Sequence, residues 1–280
     1  MRLRLLRVLL TGILVAVVAP ATAQPLPDSV DRNGDGEIVI ACLGDSNTAS
    51  TWQGVKPGGF EPELGWCEQL LARLEDPRVR ILNMGVGGAT VSPNIVSDVP
   101  ADRVFFSGVG QLESVLSTDP VDVVILAFGT NDVLADQNGV PEEIVDNYNR
   151  LWRIVRSRGL LGFVIVTPTV FPHPRTGEIR RSLAAIAETN ARIDDIFAPR
   201  FVLDFELEMG PQHFMDDLHM NAAGQALRAS EAHRGVAALG GVTGPRAGVR
   251  AVRWSEGHWG LPNPEPEPEP KPAADAARGD

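Results

Sequence analysis

The 280-residue sequence predicts an α/β fold, a three-layer α/β/α sandwich on a five-stranded parallel sheet. Two observations predict it. Five short, largely β-branched runs alternate one for one with longer stretches whose apolar residues recur at helical spacing. The short runs are apolar on both faces, as strands are when helices cover a parallel sheet from each side. With 44% hydrophobic and 22% charged residues, the chain can fill such a core, which excludes global disorder.

The strands are expected at Glu37–Leu43 (EIVIACL), Val79–Asn83 (VRILN), Val121–Phe128 (VDVVILAF), Gly162–Thr167 (GFVIVT) and Arg200–Asp204 (RFVLD). Between them, Gly65–Leu74, Val109–Ser117, Glu142–Ser157 and Ile179–Phe197 carry Leu, Ile, Val and Trp at helical intervals, and a last helix is expected from Asn221 to about Leu239. No internal repeat of fixed period interrupts this flavodoxin-like alternation.

The two ends read differently from the body. Arg2, Arg4 and Arg7 precede an apolar run, Leu9 to Val18, and a small-x-small site, Ala21-Thr22-Ala23. That is the pattern of a secretory signal peptide, and the run is shorter than the ~20 residues a membrane span needs. The expected organisation is a signal peptide over 1–23, a turn-rich lead-in over 24–36, the folded domain over 37–240, an irregular linker over 241–262 and a Pro/Glu-rich tail over 263–280. The tail alternates Pro with Glu from Pro264 onward and is expected to extend as polyproline II. The mature chain is expected to be secreted or periplasmic, with no membrane span after signal removal. In such a compartment Cys42 and Cys67 fit either a disulfide or two buried free thiols.

A formal charge of −11 argues against nucleic acid as a partner, because phosphate neutralisation needs clustered Lys and Arg. In the lead-in, Asp31, Asn33 and Asp35 with Gly36 reproduce the opening of an EF-hand calcium loop, but its twelfth position is Cys42 where a Glu should close the site. A turn-rich approach to the first strand accounts for the same residues. No cofactor is implied elsewhere.

Ligands of open parallel sheets sit at the C-terminal ends of the strands. There the sequence places Gly44-Asp45-Ser46-Asn47-Thr48, Asn83-Met84-Gly85-Val86-Gly87-Gly88, Gly129-Thr130-Asn131-Asp132 and Asp216-Asp217-Leu218-His219. A hydroxyl, a Gly-rich turn, a side-chain amide and an Asp-x-x-His on one edge are the parts of acyl transfer. A serine hydroxyl needs an adjacent base to take its proton, and imidazole is the side chain suited to that near neutral pH.

These four blocks, in this order over about 37–239, resemble the SGNH hydrolases, also called GDSL esterases and lipases. The resemblance implies Ser46 as nucleophile, Asp216 and His219 as its partners, and an oxyanion hole of the Ser46 and Gly88 N–H groups with the Asn131 side chain. Met220 departs from the Pro that often follows the histidine in the family.

Plainer roles remain open for each residue. Ser46 also suits a helix cap, Gly87 and Gly88 a tight turn, and Asn131 an Asx turn. Asp132 and Asp217 compete with Asp216 as the carboxylate, and His173 and His213 fit solvated loop histidines more readily than residues of the pocket border. The expected activity is a serine esterase acting through an acyl-enzyme on a small-molecule or carbohydrate ester, with carbohydrate O-acetyl or short-acyl esters as candidates. The alternative is a non-catalytic exported module, carbohydrate-binding or scaffolding, with a vestigial site.

Overall fold

The computed structural model describes residues 25–49, 65–92, 107–133, 140–165, 183–198, 201–203, 209–216 and 218–241. Strands β1 (Ile38–Gly44), β2 (Val79–Asn83), β3 (Val123–Ala127), β4 (Leu161–Ile165) and β5 (Val202–Leu203) form one parallel sheet in the order β2-β1-β3-β4-β5. The helices are α1 (Ser46–Ala49), α2 (Trp66–Leu74), α3 (Gly108–Thr118), α4 (Pro141–Ser157), α5 (Leu183–Ile196) and α6 (Ala222–Ala237).

Alternation along each strand sorts the core into two layers. Val39, Ala41, Leu43, Val124 and Leu126 meet the apolar faces of α3, α4 and α5, while Ile38, Ile40, Cys42, Val123 and Ile125 meet α2 and α6. Both faces of the sheet are therefore buried, as the continuous apolar runs predict. Among the described residues no helix is long and apolar enough to cross a membrane.

Element boundaries differ from expectation where local hydrogen bonding decides them. β3 stops at Ala127 because the next N–H, that of Phe128, goes to the Tyr148 hydroxyl at 3.0 Å. Asn221 caps α6 instead of joining it, its Oδ1 accepting from the Ala223 and Gly224 N–H groups. The outer parts of the expected fourth and fifth strands and residues 179–182 of the helix expected at Ile179–Phe197 lie outside the described residues.

The lead-in is packed against the body. Leu26 and Val30 are buried in the α2/α6 layer, and buried Arg32 donates its Nε–H to the Gly159 carbonyl at 3.0 Å. Asp122 bridges this segment to β1, accepting from the Arg32 N–H at 2.6 Å and the Val39 N–H at 2.8 Å. Burial nevertheless pushes its carboxyl up to about 6. Asp31 accepts from the N–H groups of Gly34 and Gly36, Asn33 from that of Asp35, and Asp35 from that of Glu37. Successive Asx turns thus account for the residues that resemble a calcium loop.

Cys42 on β1 and Cys67 on α2 are joined in a disulfide spanning 25 residues, which ties α2 to the strand that leads to Ser46. A cross-link of this span lowers unfolded-chain entropy by about 3–4 kcal/mol on the loop-closure model. Replacing both cysteines with Ala should therefore lower the urea midpoint, and an unchanged midpoint would show that the bond contributes nothing.

Candidate active site

The sheet order reverses around β1, and the crevice between the ends of β1 and β3 is where an open α/β sheet offers a site. Ser46 is the first residue of α1, directly past the end of β1. The opening N–H groups of a helix lack intrahelical acceptors. Here Asp45 supplies them: its Oδ1 accepts from the Asn47 N–H at 2.8 Å, and its carbonyl accepts from the N–H groups of Thr48 and Ala49. Among the described residues, none accepts from the N–H of Ser46.

Side-chain carboxamides hold this turn. Gln111 on α3 accepts from the Gly44 N–H and donates to its carbonyl, both at 2.9 Å. Gln225 on α6 donates to the Asn47 carbonyl at 3.0 Å, and Asn83 at the end of β2 donates to that of Thr48 at 2.8 Å. The chain after β2 presses close enough that a Cβ on Gly85 would lie 2.2 Å from the Ala49 nitrogen, so only glycine fits.

The histidine arrives from the opposite end of the domain. An antiparallel bridge between Phe214 and Met220 folds residues 214–220 into a loop, closed by the Met215 N–H donating to the His219 carbonyl at 2.8 Å. Inside it, Asp216 Oδ1 accepts from the N–H groups of Leu218 and His219, both at 2.6 Å. Its Oδ2 lies 2.9 Å from His219 Nδ1, and His219 Nε2 lies 3.1 Å from Ser46 Oγ. Burial raises the Asp216 carboxyl, but hydrogen bonds from the His219 ring and backbone outweigh it and hold the group well below the usual carboxylate range. An ionised Asp216 leaves Nδ1 as the donor and Nε2 with a lone pair toward Ser46. Ser46 is 8% exposed and His219 6%, so the pair is largely shielded from water.

Gly88 occupies the third position of a turn closed by the Ala89 N–H to the Val86 carbonyl, and its φ of +79° is the conformation that position takes in a type II turn. Asn131 reaches across to this turn, donating from Nδ2 to the Ala89 carbonyl at 2.8 Å. Asp132, a rival for the histidine, faces away from it: its carboxylate accepts from the Val91 N–H at 3.0 Å and the Ser92 N–H at 3.1 Å. Burial pushes that carboxyl up to about 7. Asp132 thus fastens the segment after Gly88 to the end of β3. His213 Nδ1 accepts from the Gly210 N–H. Asp217 and His173 lie outside the described residues.

Sequence reasoning did not single out the carboxamides Asn47, Asn83, Gln111 and Gln225, nor Arg228, which is buried on α6 within electrostatic reach of Asp45. Buried amides on amphipathic helices resemble surface amides in a linear sequence. Asn47 and Asn83 carried a signal, their places in the first and second strand-end blocks.

A serine hydroxyl past a strand end, bonded to a histidine that a half-buried carboxylate orients, defines a serine hydrolase built on an α/β/α sandwich. Residues 42–227 match the GDSL-like lipase/acylhydrolase family, and the chain belongs to it as an ester hydrolase. No curated protein matches the chain. Among solved structures it is similar to Est24, a carbohydrate acetylesterase from Sinorhizobium meliloti, with 22% identity, a TM-score of 0.56 and coverage of 72% of this chain and 100% of the other. It is also similar to the aryl esterase of M. smegmatis, with 19% identity, a TM-score of 0.58 and coverage of 72% and 99%. A lipase/acylhydrolase from Enterococcus faecalis matches at 20% identity, a TM-score of 0.53 and coverage of 73% and 96%. At these identities the likeness concerns the fold.

Proposed function

We propose that this chain is an exported serine esterase that cleaves short-acyl esters, O-acetyl groups on carbohydrate among them, through an acyl-enzyme. The observation that carries the reading is the continuous relay from Ser46 Oγ to His219 Nε2 at 3.1 Å and from His219 Nδ1 to Asp216 Oδ2 at 2.9 Å. Ser46 Oγ attacks the ester carbonyl while its proton passes to His219 Nε2. The imidazolium then gives that proton to the departing alkoxide, leaving the acyl group on Ser46. Water, deprotonated by the same nitrogen, attacks the acyl-enzyme, and the proton returns to Ser46 as the carboxylic acid leaves. The Ser46 and Gly88 N–H groups and the second Nδ2 hydrogen of Asn131 serve the tetrahedral oxyanion. The bond from Asn131 to the Ala89 carbonyl fixes the direction of that amide.

The short-acyl assignment draws support from the low aromatic content, 6%, and from the carbohydrate acetylesterase and aryl esterase that share the fold. Export follows from the N-terminal pattern, and the secreted chain should begin at Gln24. A series of p-nitrophenyl esters from acetyl to palmitoyl, run beside acetylated xylan, tests the substrate class: the rate should be greatest at acetyl, and a maximum at long chains would make the protein a lipase. An organophosphorus fluoride should label one serine, and peptide mapping should place the adduct on Ser46.

Asn131→Ala should lower kcat by about 10²–10³-fold with little change in KM, because the donor acts on charge that develops in the transition state. A rise in KM alone would make Asn131 a substrate-binding residue.

A further inference from the structure

Ser46 and His219 lie 173 residues apart in the chain. Asn47, next to Ser46 and 1% exposed, directs its whole carboxamide at the loop that carries the base. Its Nδ2 donates to the Leu218 carbonyl at 3.2 Å, and its Oδ1 accepts from the Met220 N–H at 3.0 Å. These groups belong to the two residues that flank His219.

The remaining polar backbone atoms around His219 are held from within the loop. Asp216 accepts from the Leu218 and His219 N–H groups, and the His219 carbonyl accepts from Met215. Those bonds shape the loop but do not place it against α1. The two Asn47 bonds do, and they start one residue from the nucleophile. A carboxamide carries a donor and an acceptor a fixed distance apart, which is what grips a carbonyl and an N–H together. Neither a carboxylate nor an apolar side chain of similar size can do both. Gln225 completes the anchorage by donating to the Asn47 carbonyl at 3.0 Å while accepting from the Trp66 N–H at 3.1 Å.

We propose that Asn47 is a positioning residue, whose carboxamide sets the distance and direction between His219 and Ser46 by holding the peptide groups on either side of the histidine. The proposal rests on the reading of Ser46 as nucleophile and His219 as base. Misplacement by about 1 Å costs about 10²-fold in rate. In Asn47→Leu, which keeps the number and branching of the side-chain heavy atoms but lacks both bonds, kcat and the rate of organophosphorus labelling at Ser46 should each fall by about 10²-fold per folded molecule, with KM within about threefold.

The same substitution in a His219→Ala background separates positioning from general destabilisation. With the base already gone, Asn47→Leu should leave the residual rate within about twofold, since residues acting as one unit are not additive. An equal loss in both backgrounds, or a wild-type rate in Asn47→Leu alone, would overturn the proposal. Should Asn47→Leu fail to fold, Asn47→Asp takes its place in both backgrounds; it keeps an acceptor for Met220 and loses the donor to Leu218, with an expected loss of about tenfold. Full hydrolysis by Ser46→Ala would instead overturn the underlying reading, and with it the proposal. An inactive Ser46→Ala beside a fully active Asn47→Leu would overturn the proposal alone.

Discussion

Ser46→Ala should lower kcat for p-nitrophenyl acetate by about 10⁵–10⁶-fold and abolish labelling by organophosphorus fluorides. The size of the loss follows from the relay. Without Oγ, His219 has no hydroxyl to deprotonate, and the remaining oxyanion donors can assist only direct attack by water, worth about 10³–10⁴-fold over the uncatalysed reaction. The alanine should cost little stability, because among the described residues the hydroxyl bonds only to His219 and the turn around it is held by Asp45, Gln111 and Gln225. KM should change little, since the hydroxyl contributes mainly after binding. A variant that folds, binds and still turns over at more than about a hundredth of the wild-type rate would move the nucleophile elsewhere.

The residues that meet at the candidate site were legible in the sequence, and the residues that hold them in place were not. The side chains of Ser46, His219, Asp216 and Asn131 stand at or shortly beyond the ends of strands whose apolar runs mark them, so topology alone brings them to one edge. The Asp-x-x-His spacing favours Asp216 over Asp132 in the sequence, and the bonds of Asp132 to Val91 and Ser92 agree with that choice. Gln111 and Gln225 contact the nucleophile turn from 67 and 178 residues away, and helical periodicity says which face a side chain takes but not which backbone group it meets. Boundaries were blurred for a related reason. The end of β3 depends on a single hydroxyl, that of Tyr148, which no strand signal reports.

Asp216→Asn should lower kcat by about 10⁴-fold through the tautomer of the base. The substituted amide can keep its oxygen toward the Leu218 and His219 N–H groups, which now share Asp216 Oδ1 at 2.6 Å. Its NH2 then faces His219 Nδ1, which must turn from donor to acceptor, and the ring proton moves to Nε2, where it meets Ser46 Oγ instead of a lone pair. The loop is kept and the base is lost. A larger loss in Asp132→Asn or Asp217→Asn than in Asp216→Asn would assign the orienting role to the other carboxylate.

The same variant has a signature in stability. The Asp216 carboxyl is held below its ordinary value, so it contributes stability that is present above about pH 4 and is lost as pH falls further. Asp122 and Asp132 act with the opposite sign: burial raises them to about 6 and about 7, so their contribution is present below about pH 4 and is lost as pH rises through those values. The wild-type curve mixes these trends, and only the difference between wild type and Asp216→Asn isolates one group. Measured by urea unfolding, that difference should shrink between pH 4 and 2. A difference that stays constant down to pH 2 would mean that Asp216 is not held ionised by His219 in the folded protein.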